Sequence, residues 1–213
     1  MHIETVIFDL DGTLIDSAQS LLSAFDGAFK SLGCVPVRPL DRTLIGPPLT
    51  QILAALSGSD DADLLAALAI AFKDRYDDDS YRETAVFEGV ETMLSELVRR
   101  GHRLYIATNK RKKPTYRILE HLGWTGYFDD VYTLDTFEIP AKDKTQLLEW
   151  ILRLGAIDVQ RSVYTGDRDD DGRAALANNL AFLLATWGYG ENIAGVWRKV
   201  NKPENLPDTI GAM

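Results

Sequence analysis

Five short apolar runs place the tightest constraint on how this chain can fold: residues 5–8, 103–107, 130–133, 161–164 and 181–185. None shows the in-out alternation of a half-exposed strand, so each reads as a strand covered on both faces. Amphipathic helical patterns separate most of them. Residues 90–100 place Val90, Met93, Leu94 and Leu97 on one face and stop at Gly101, a C-cap. Residues 114–122 and 145–154 repeat the scheme and stop at Gly123 and Gly155. Strand alternating with helix predicts a parallel sheet in an α/β, Rossmann-like core.

One interval breaks the rhythm. Roughly 95 residues separate Phe8 from Arg103, where a strand-helix-strand unit needs about 30. The surplus reads as helical at 18–32, 49–56 and 62–76, punctuated by Gly33, by Gly46-Pro47-Pro48 and by Ser57-Gly58-Ser59. A helical domain over residues 16–82 is therefore expected, inserted into a core made of residues 1–15 and 83–213. The run Asp77-Asp78-Asp79 reads as a solvated linker or helix end. No internal repeat is present.

With 213 residues and 46% hydrophobic content, the chain can bury one sizeable core plus a smaller one. Its formal net charge of -9 repels nucleic-acid phosphates and anionic headgroups, so neither nucleic acid nor membrane is expected as a partner. The single cysteine, Cys34, allows no intramolecular disulfide and no Cys-rich metal site, and reads as a small core residue. The first twelve residues lack a basic region and a long apolar stretch, and the runs 64–72 and 180–187 are too short to span a bilayer. The expectation is a soluble, cytoplasmic protein.

In a parallel sheet, ligands collect beyond the carboxyl ends of the strands. Asp9 and Asp11 follow the first run, Thr108 and Asn109 follow the second, and Asp167 follows the run 161–164. A carboxylate can attack phosphorus and form an aspartyl-phosphate. Several carboxylates at one spot repel one another unless a cation sits among them. Oxygen ligands without a histidine cluster favour Mg²⁺. His2, His102 and His121 lie outside these motifs, which argues against a His-based zinc site or a Ser-His-Asp triad. On this reading Asp9 is the nucleophile, with one oxygen on the metal. Asp11 is the general acid/base and a further metal-site carboxylate. Gly12 makes the turn. The Thr108 hydroxyl and the Asn109 amide hold phosphoryl oxygens. A lysine neutralises the charge that develops in transfer. Lys142 and Lys144 both precede the helical stretch TQLLEWIL, and Lys144 stands nearest its start. Asp167 and Asp171 complete the metal site, directly or through water.

These residues resemble the haloacid-dehalogenase superfamily of phosphohydrolases. Asp9-Leu10-Asp11-Gly12-Thr13 is similar to its first motif, with the Asp16-Ser17 that often follows. Thr108-Asn109-Lys110 resembles the second motif, and Gly166-Asp167-Arg168-Asp169-Asp170-Asp171 the fourth, with Ala174-Ala175 where alanines often stand. Trp187-Gly188-Tyr189-Gly190 and Gly46-Pro47-Pro48-Leu49 resemble loops of phosphoglycolate-phosphatase-like members. The resemblance covers nearly the whole chain. It implies that the insertion is a C1 cap, that the activity is Mg²⁺-dependent phosphomonoester hydrolysis, and that the partner is a small phosphorylated metabolite such as phosphoglycolate, on a monomer or homodimer. The chain departs from the family pattern at three places. Lys144 is followed by Thr145 rather than proline, Arg168 replaces a frequent serine, and Asn179 stands where glycine is common.

The same residues admit rival readings. Residues 167–172 also fit the opening of an EF-hand loop, but the twelfth position is Asn178 rather than glutamate and a strand precedes the loop. A phospho-accepting receiver domain shares the aspartate cluster but is shorter and lacks the insertion. A sugar-phosphate mutase would use Asp9 and Asp11 alike. A dehalogenase has no need of an acid/base at Asp11. Arg82 reads as a surface residue near the hinge, and Trp187 and Tyr189 as packing residues.

Overall fold

The computed structural model describes residues 2–77, 80–155, 157–191, 193 and 195–213. Its strands are β1 (Thr5–Phe8), β2 (Ile15–Asp16), β3 (Ala85–Val86), β4 (Arg103–Thr108), β5 (Asp130–Thr133), β6 (Ser162–Gly166), β7 (Ala181–Ala185) and β8 (Arg198–Val200). Its α-helices are α1 (Ala18–Ser31), α2 (Leu49–Ser57), α3 (Ala62–Tyr76), α4 (Val90–Arg99), α5 (Lys112–His121), α6 (Lys144–Leu154), α7 (Asp169–Ala177) and α8 (Leu206–Gly211).

Six strands form one parallel sheet in the order β5-β4-β1-β6-β7-β8. All four residues of β1 are buried, as a central strand requires. Its side chains divide between the two faces with period two. Val6 and Phe8 pack with Val90, Leu94 and Leu97 of α4 and Ile118 of α5. Ile7 packs on the other side with Leu147, Leu148 and Ile151 of α6 and Ala174 and Ala175 of α7. The fold is therefore the α/β parallel sheet with flanking helices that the periodicity predicts.

The pairing of β1 with β4 and β6 aligns Phe8 with Ile106 and Thr165, so the three central strands end together. Past that edge the chain makes a two-stranded neck, β2 against β3, with Ile15 opposite Val86 and Asp16 opposite Ala85. Helices α1, α2 and α3 lie between the two strands of the neck. Phe25 and Phe72 stack 4.5 Å apart where α1 meets α3. Among the described residues, no helix is long and apolar enough to cross a membrane.

Several local readings differ from the structure. Helix α5 starts two residues before Pro114, because a proline in the first turn removes an amide that has no intrahelical partner there. Gly155 ends α6 at φ -78°, not in the left-handed region that Gly101 and Gly123 occupy. β6 starts at Ser162, since Val159–Arg161 form a helical turn whose Gln160 amide donates to the Asp158 side chain. The edge strand β8 and helix α7 went unread. Asp77 is not solvated. It is buried, and Arg111 Nη1 donates to its Oδ2 at 2.9 Å. Asp78 and Asp79 lie outside the described residues. Cys34 is half-buried against the core.

Candidate active site

The backbone amide of Asp9 still donates to Thr165 O at 2.9 Å, which extends the ladder one residue past β1 and fixes the Asp9 carboxylate beyond the sheet edge. The chain then turns at once, with the Leu14 amide donating to Leu10 O at 2.9 Å. Gly12 makes the turn at φ +88°, and a Cβ there would run into the Asp167 carboxylate. Glycine is thus required for both conformation and space.

Asp9, Asp167 and Asp171 are all buried, and each brings a carboxylate oxygen within 4.8 Å of the other two. Asp167 follows β6 and accepts the Tyr189 amide at 2.7 Å. Asp171 stands in the first turn of α7, where its Oδ2 accepts the Arg168 amide at 3.1 Å and its Oδ1 accepts the Tyr164 hydroxyl at 3.2 Å. Lys144 joins them. The Asp143 side chain caps α6 by accepting the Gln146 amide at 2.9 Å, which makes Lys144 the first helical residue. The buried Lys144 ammonium stands 2.9 Å from Asp9 Oδ1 and 2.5 Å from Asp171 Oδ1. Lys142 is exposed, and its backbone amide donates to Gln146 Oε1 at 2.9 Å.

The charges in this cluster do not balance. Burial pushes the Asp9 carboxyl up to about 7, against the pull of Lys144 and with the help of Asp171 and Asp11. Burial, with the carboxylates of Asp171 and Asp9 beside it, holds Asp167 well above the carboxylate range. Burial pushes Lys144 down, but Asp171 and Asp9 outweigh it and keep it cationic. Asp9 Oδ1 has the Lys144 ammonium beside it but no well-aligned hydrogen-bond donor. Three hard oxygen donors, a charge excess and an under-satisfied buried oxygen fit a small divalent cation such as Mg²⁺.

The Asp11 carboxylate is turned elsewhere. Its Oδ1 accepts from the Ser17 hydroxyl, and Lys110 Nζ donates to Oδ1 at 3.0 Å and Oδ2 at 3.3 Å. Lys110 also donates to the Tyr76 hydroxyl at 2.8 Å, from the end of α3. Burial alone would lower the Lys110 pKa, but Asp11 and Tyr76 raise it, so the side chain stays charged. Thr108 is buried at the end of β4, and its hydroxyl accepts the Lys110 amide at 3.2 Å. Asn109 Nδ2 donates across the cleft to Gly46 O at 2.8 Å, so this amide holds the loop before α2. Arg168 does likewise, donating Nη1 to Ile45 O at 2.8 Å. Its stem lies where a Cβ on Gly46 would sit, and Gly46 has φ +124°.

Sequence reasoning puts Asp9, Asp11, Thr108, Asn109 and Asp167 at one sheet edge and adds Lys144 and Asp171 to the site; in the structure Lys144, Asp167 and Asp171 gather around Asp9, and Thr108 stands at the end of β4. Only three of the four proposed metal carboxylates share a cluster among the described residues, Asp11 standing apart. The sequence reading missed Ser17, Tyr76, Lys110 and Tyr164. Lys110 was visible as the third residue of the second motif. Tyr76 carried no local signal, because its partner lies 34 residues away. A cavity of about 60 Å³ lies between Asp9, Asp11 and residues 108–111 on one side and α1, α2 and α3 on the other.

The chain matches the family of haloacid dehalogenase-like hydrolases over residues 6–185. It is 31% identical over 188 residues to the tyrosine-protein kinase PtkA of Mycobacterium tuberculosis, covering 88% of this chain but only 63% of that one. It is 33% identical over 186 residues to a phosphoglycolate phosphatase of Xylella fastidiosa, covering 87% of this chain and 81% of that protein. The crystal structure of a predicted phosphatase from Clostridium acetobutylicum superposes with a TM-score of 0.90 at 26% identity, covering all of both chains.

Proposed function

The chain belongs to the haloacid dehalogenase-like hydrolases, and from that premise we propose that it is a Mg²⁺-dependent phosphatase that cleaves a small phosphomonoester through an aspartyl-phosphate at Asp9. The observation that carries this reading is the buried set of Asp9, Asp167, Asp171 and Lys144 at the end of β1.

In the proposed reaction an Asp9 carboxylate oxygen attacks phosphorus and the bond to the alcohol oxygen breaks. Asp11 gives its proton to that oxygen, then takes one from the water that hydrolyses the acyl phosphate. Lys144 sits where negative charge develops and stabilises it without reorganising. The Thr108 hydroxyl is placed to hold a phosphoryl oxygen. Asp9, Asp167 and Asp171 would hold Mg²⁺, which when bound would supply positive charge to the phosphoryl oxygens and lower the pKa values of its carboxylate ligands. Asp11 is given the acid/base role, since its carboxylate stands outside the Asp9, Asp167 and Asp171 cluster that would hold the metal.

Residues 16–82 act in this proposal as a cap on a core of residues 1–15 and 83–213. The neck of β2 and β3 is the hinge, and closure excludes bulk water. Every residue named comes from one chain, so a monomer or a homodimer serves equally. A single cysteine suits a reducing cytoplasm. The phosphoglycolate phosphatase relative puts phosphoglycolate first in a substrate screen. The mycobacterial relative's name raises transfer to a second hydroxyl instead of water, as a mutase would also perform.

The test is phosphate release from p-nitrophenyl phosphate, with Mg²⁺ and with a chelator, for the wild type and for Asp9→Asn. Metal-dependent release that disappears in the variant is expected. Full activity in Asp9→Asn would overturn the mechanism. A persistent phosphoryl group on Asp9 without phosphate release would turn the assignment toward transfer.

A further inference from the structure

The proposed hydrolysis rests on one wall of the cleft, and the opposite wall speaks to the alcohol that leaves. The facing residues from the inserted helices are Leu21 and Phe25 of α1, Leu49 and Ile52 of α2, and Phe72 and Tyr76 of α3. Five of the six carry no polar side-chain atom. The sixth, Tyr76, turns its hydroxyl onto Lys110 at 2.8 Å. The rings form a ladder, Phe25 on Phe72 at 4.5 Å and Phe72 on Tyr76 at 5.4 Å.

The cations that line this cavity are Lys110 and Arg111, and both face carboxylates of the protein. Lys110 meets Asp11 at 3.0 Å, and Arg111 meets Asp77 at 2.9 Å. A second negative charge on the substrate, such as a carboxylate beside the ester, would be buried against Phe25, Phe72 and Ile52. It would have to compete with Asp11 or Asp77 for a counter-ion. Burial of an uncompensated charge is strongly unfavourable, whereas an apolar ring there gains contact area and edge or offset stacking.

We infer that the substrate, given the hydrolase reading above, is the phosphate monoester of an uncharged and largely apolar alcohol rather than of a hydroxy acid. The polar end meets Asp9, Thr108 and Lys144, and the apolar end lies on the Phe25–Phe72–Tyr76 ladder.

The experiment compares kcat/KM, with Mg²⁺, for 2-phenylethyl phosphate and phosphoglycolate. Both release a primary aliphatic alcohol, so leaving-group chemistry does not decide the outcome. Acetyl phosphate, which carries no alcohol, reads the chemistry at Asp9 by itself. Phenylethyl phosphate is expected to lead by about tenfold or more, the range that apolar pocket contacts command. Leu49→Lys, at a half-buried position on the apolar wall, is expected to shift that ratio about tenfold toward phosphoglycolate. A ratio does not depend on how much of the variant is folded. Equal or better turnover of phosphoglycolate by the wild type overturns this inference and leaves the hydrolase standing. Release from acetyl phosphate only also overturns it. No metal-dependent release from any of the three overturns the hydrolase reading, and the inference with it.

Discussion

The core side of the cleft carries two buried ion pairs, Lys144 with Asp9 at 2.9 Å and Lys110 with Asp11 at 3.0 Å. The side made by α1, α2 and α3 carries leucine, isoleucine and phenylalanine. The first arrangement is strained electrostatically, and burial has pushed the Asp9 carboxyl up to about 7. The second is an ordinary apolar surface with a gap in it. Under the proposed function the contrast is a division of labour. Chemistry needs charges held out of water by a rigid sheet edge, while selection of the leaving group needs shape and apolar contact from an element that can move away.

Five substitutions and one titration bear on that division. On the core side, Asp9→Asn is expected to lower kcat on the order of 10⁴-fold or more, since an amide is no nucleophile. Single-turnover kinetics would check this, and a loss below about tenfold would break the comparison at its root. Asp11→Asn is expected to slow turnover of an alkyl phosphate on the order of 10²- to 10⁴-fold, the usual contribution of a positioned acid/base. The first step with p-nitrophenyl phosphate should suffer much less, because that leaving group needs little protonation. Equal losses with both would remove Asp11 from the acid role.

Lys144→Ala is expected to lower kcat on the order of 10²- to 10³-fold, and Lys142→Ala hardly at all. The reverse ranking would move the charge-neutralising role to Lys142. Arg168→Ser breaks the contact with Ile45 O that holds the two walls together. A charged donor of this kind supports an effect on the order of tenfold, read here as a rise in KM with kcat held. An equal fall in kcat would show that Arg168 serves the reaction itself rather than cap closure.

The smallest effect is on stability. Folded Asp9 keeps its proton up to about pH 7, whereas an unfolded aspartate releases it near 3.8. Between those values the folded state binds more protons, so stability falls as pH rises. Asp167 acts in the same direction. The melting temperature of chelator-treated protein is therefore expected to drop by a few degrees from pH 4 to 7, and Mg²⁺ to restore it at pH 7. A rise over that range, or no response to Mg²⁺, would separate the acidic trio from metal binding.

Much of this was legible in the chain. The runs 5–8, 130–133 and 181–185 coincide with β1, β5 and β7, and 62–76 with α3. Fully buried strands and amphipathic helices write their environment into a few adjacent residues. β8 escaped because two of its three residues are exposed and it carries no apolar run. The β2–β3 neck escaped because two-residue strands leave no periodicity at all. Asp77 was misread as solvated because its neighbours in sequence are acidic, while Arg111 reaches it from 34 residues away.

Sequence alone determined the parallel α/β core, the inserted helices and which residue types arrive at the carboxyl edge of the sheet, because each depends on local pattern and on strand direction. The tertiary structure decided which lysine reaches Asp9, that Asp11 faces Lys110 and Ser17, and that the wall opposite is apolar. Those are contacts between side chains brought together from distant segments, such as Asn109 with Gly46 across 63 residues and Arg168 with Ile45 across 123. No window of neighbouring residues contains both partners, so their pairing exists only once the sheet edge and the three helices are packed against each other.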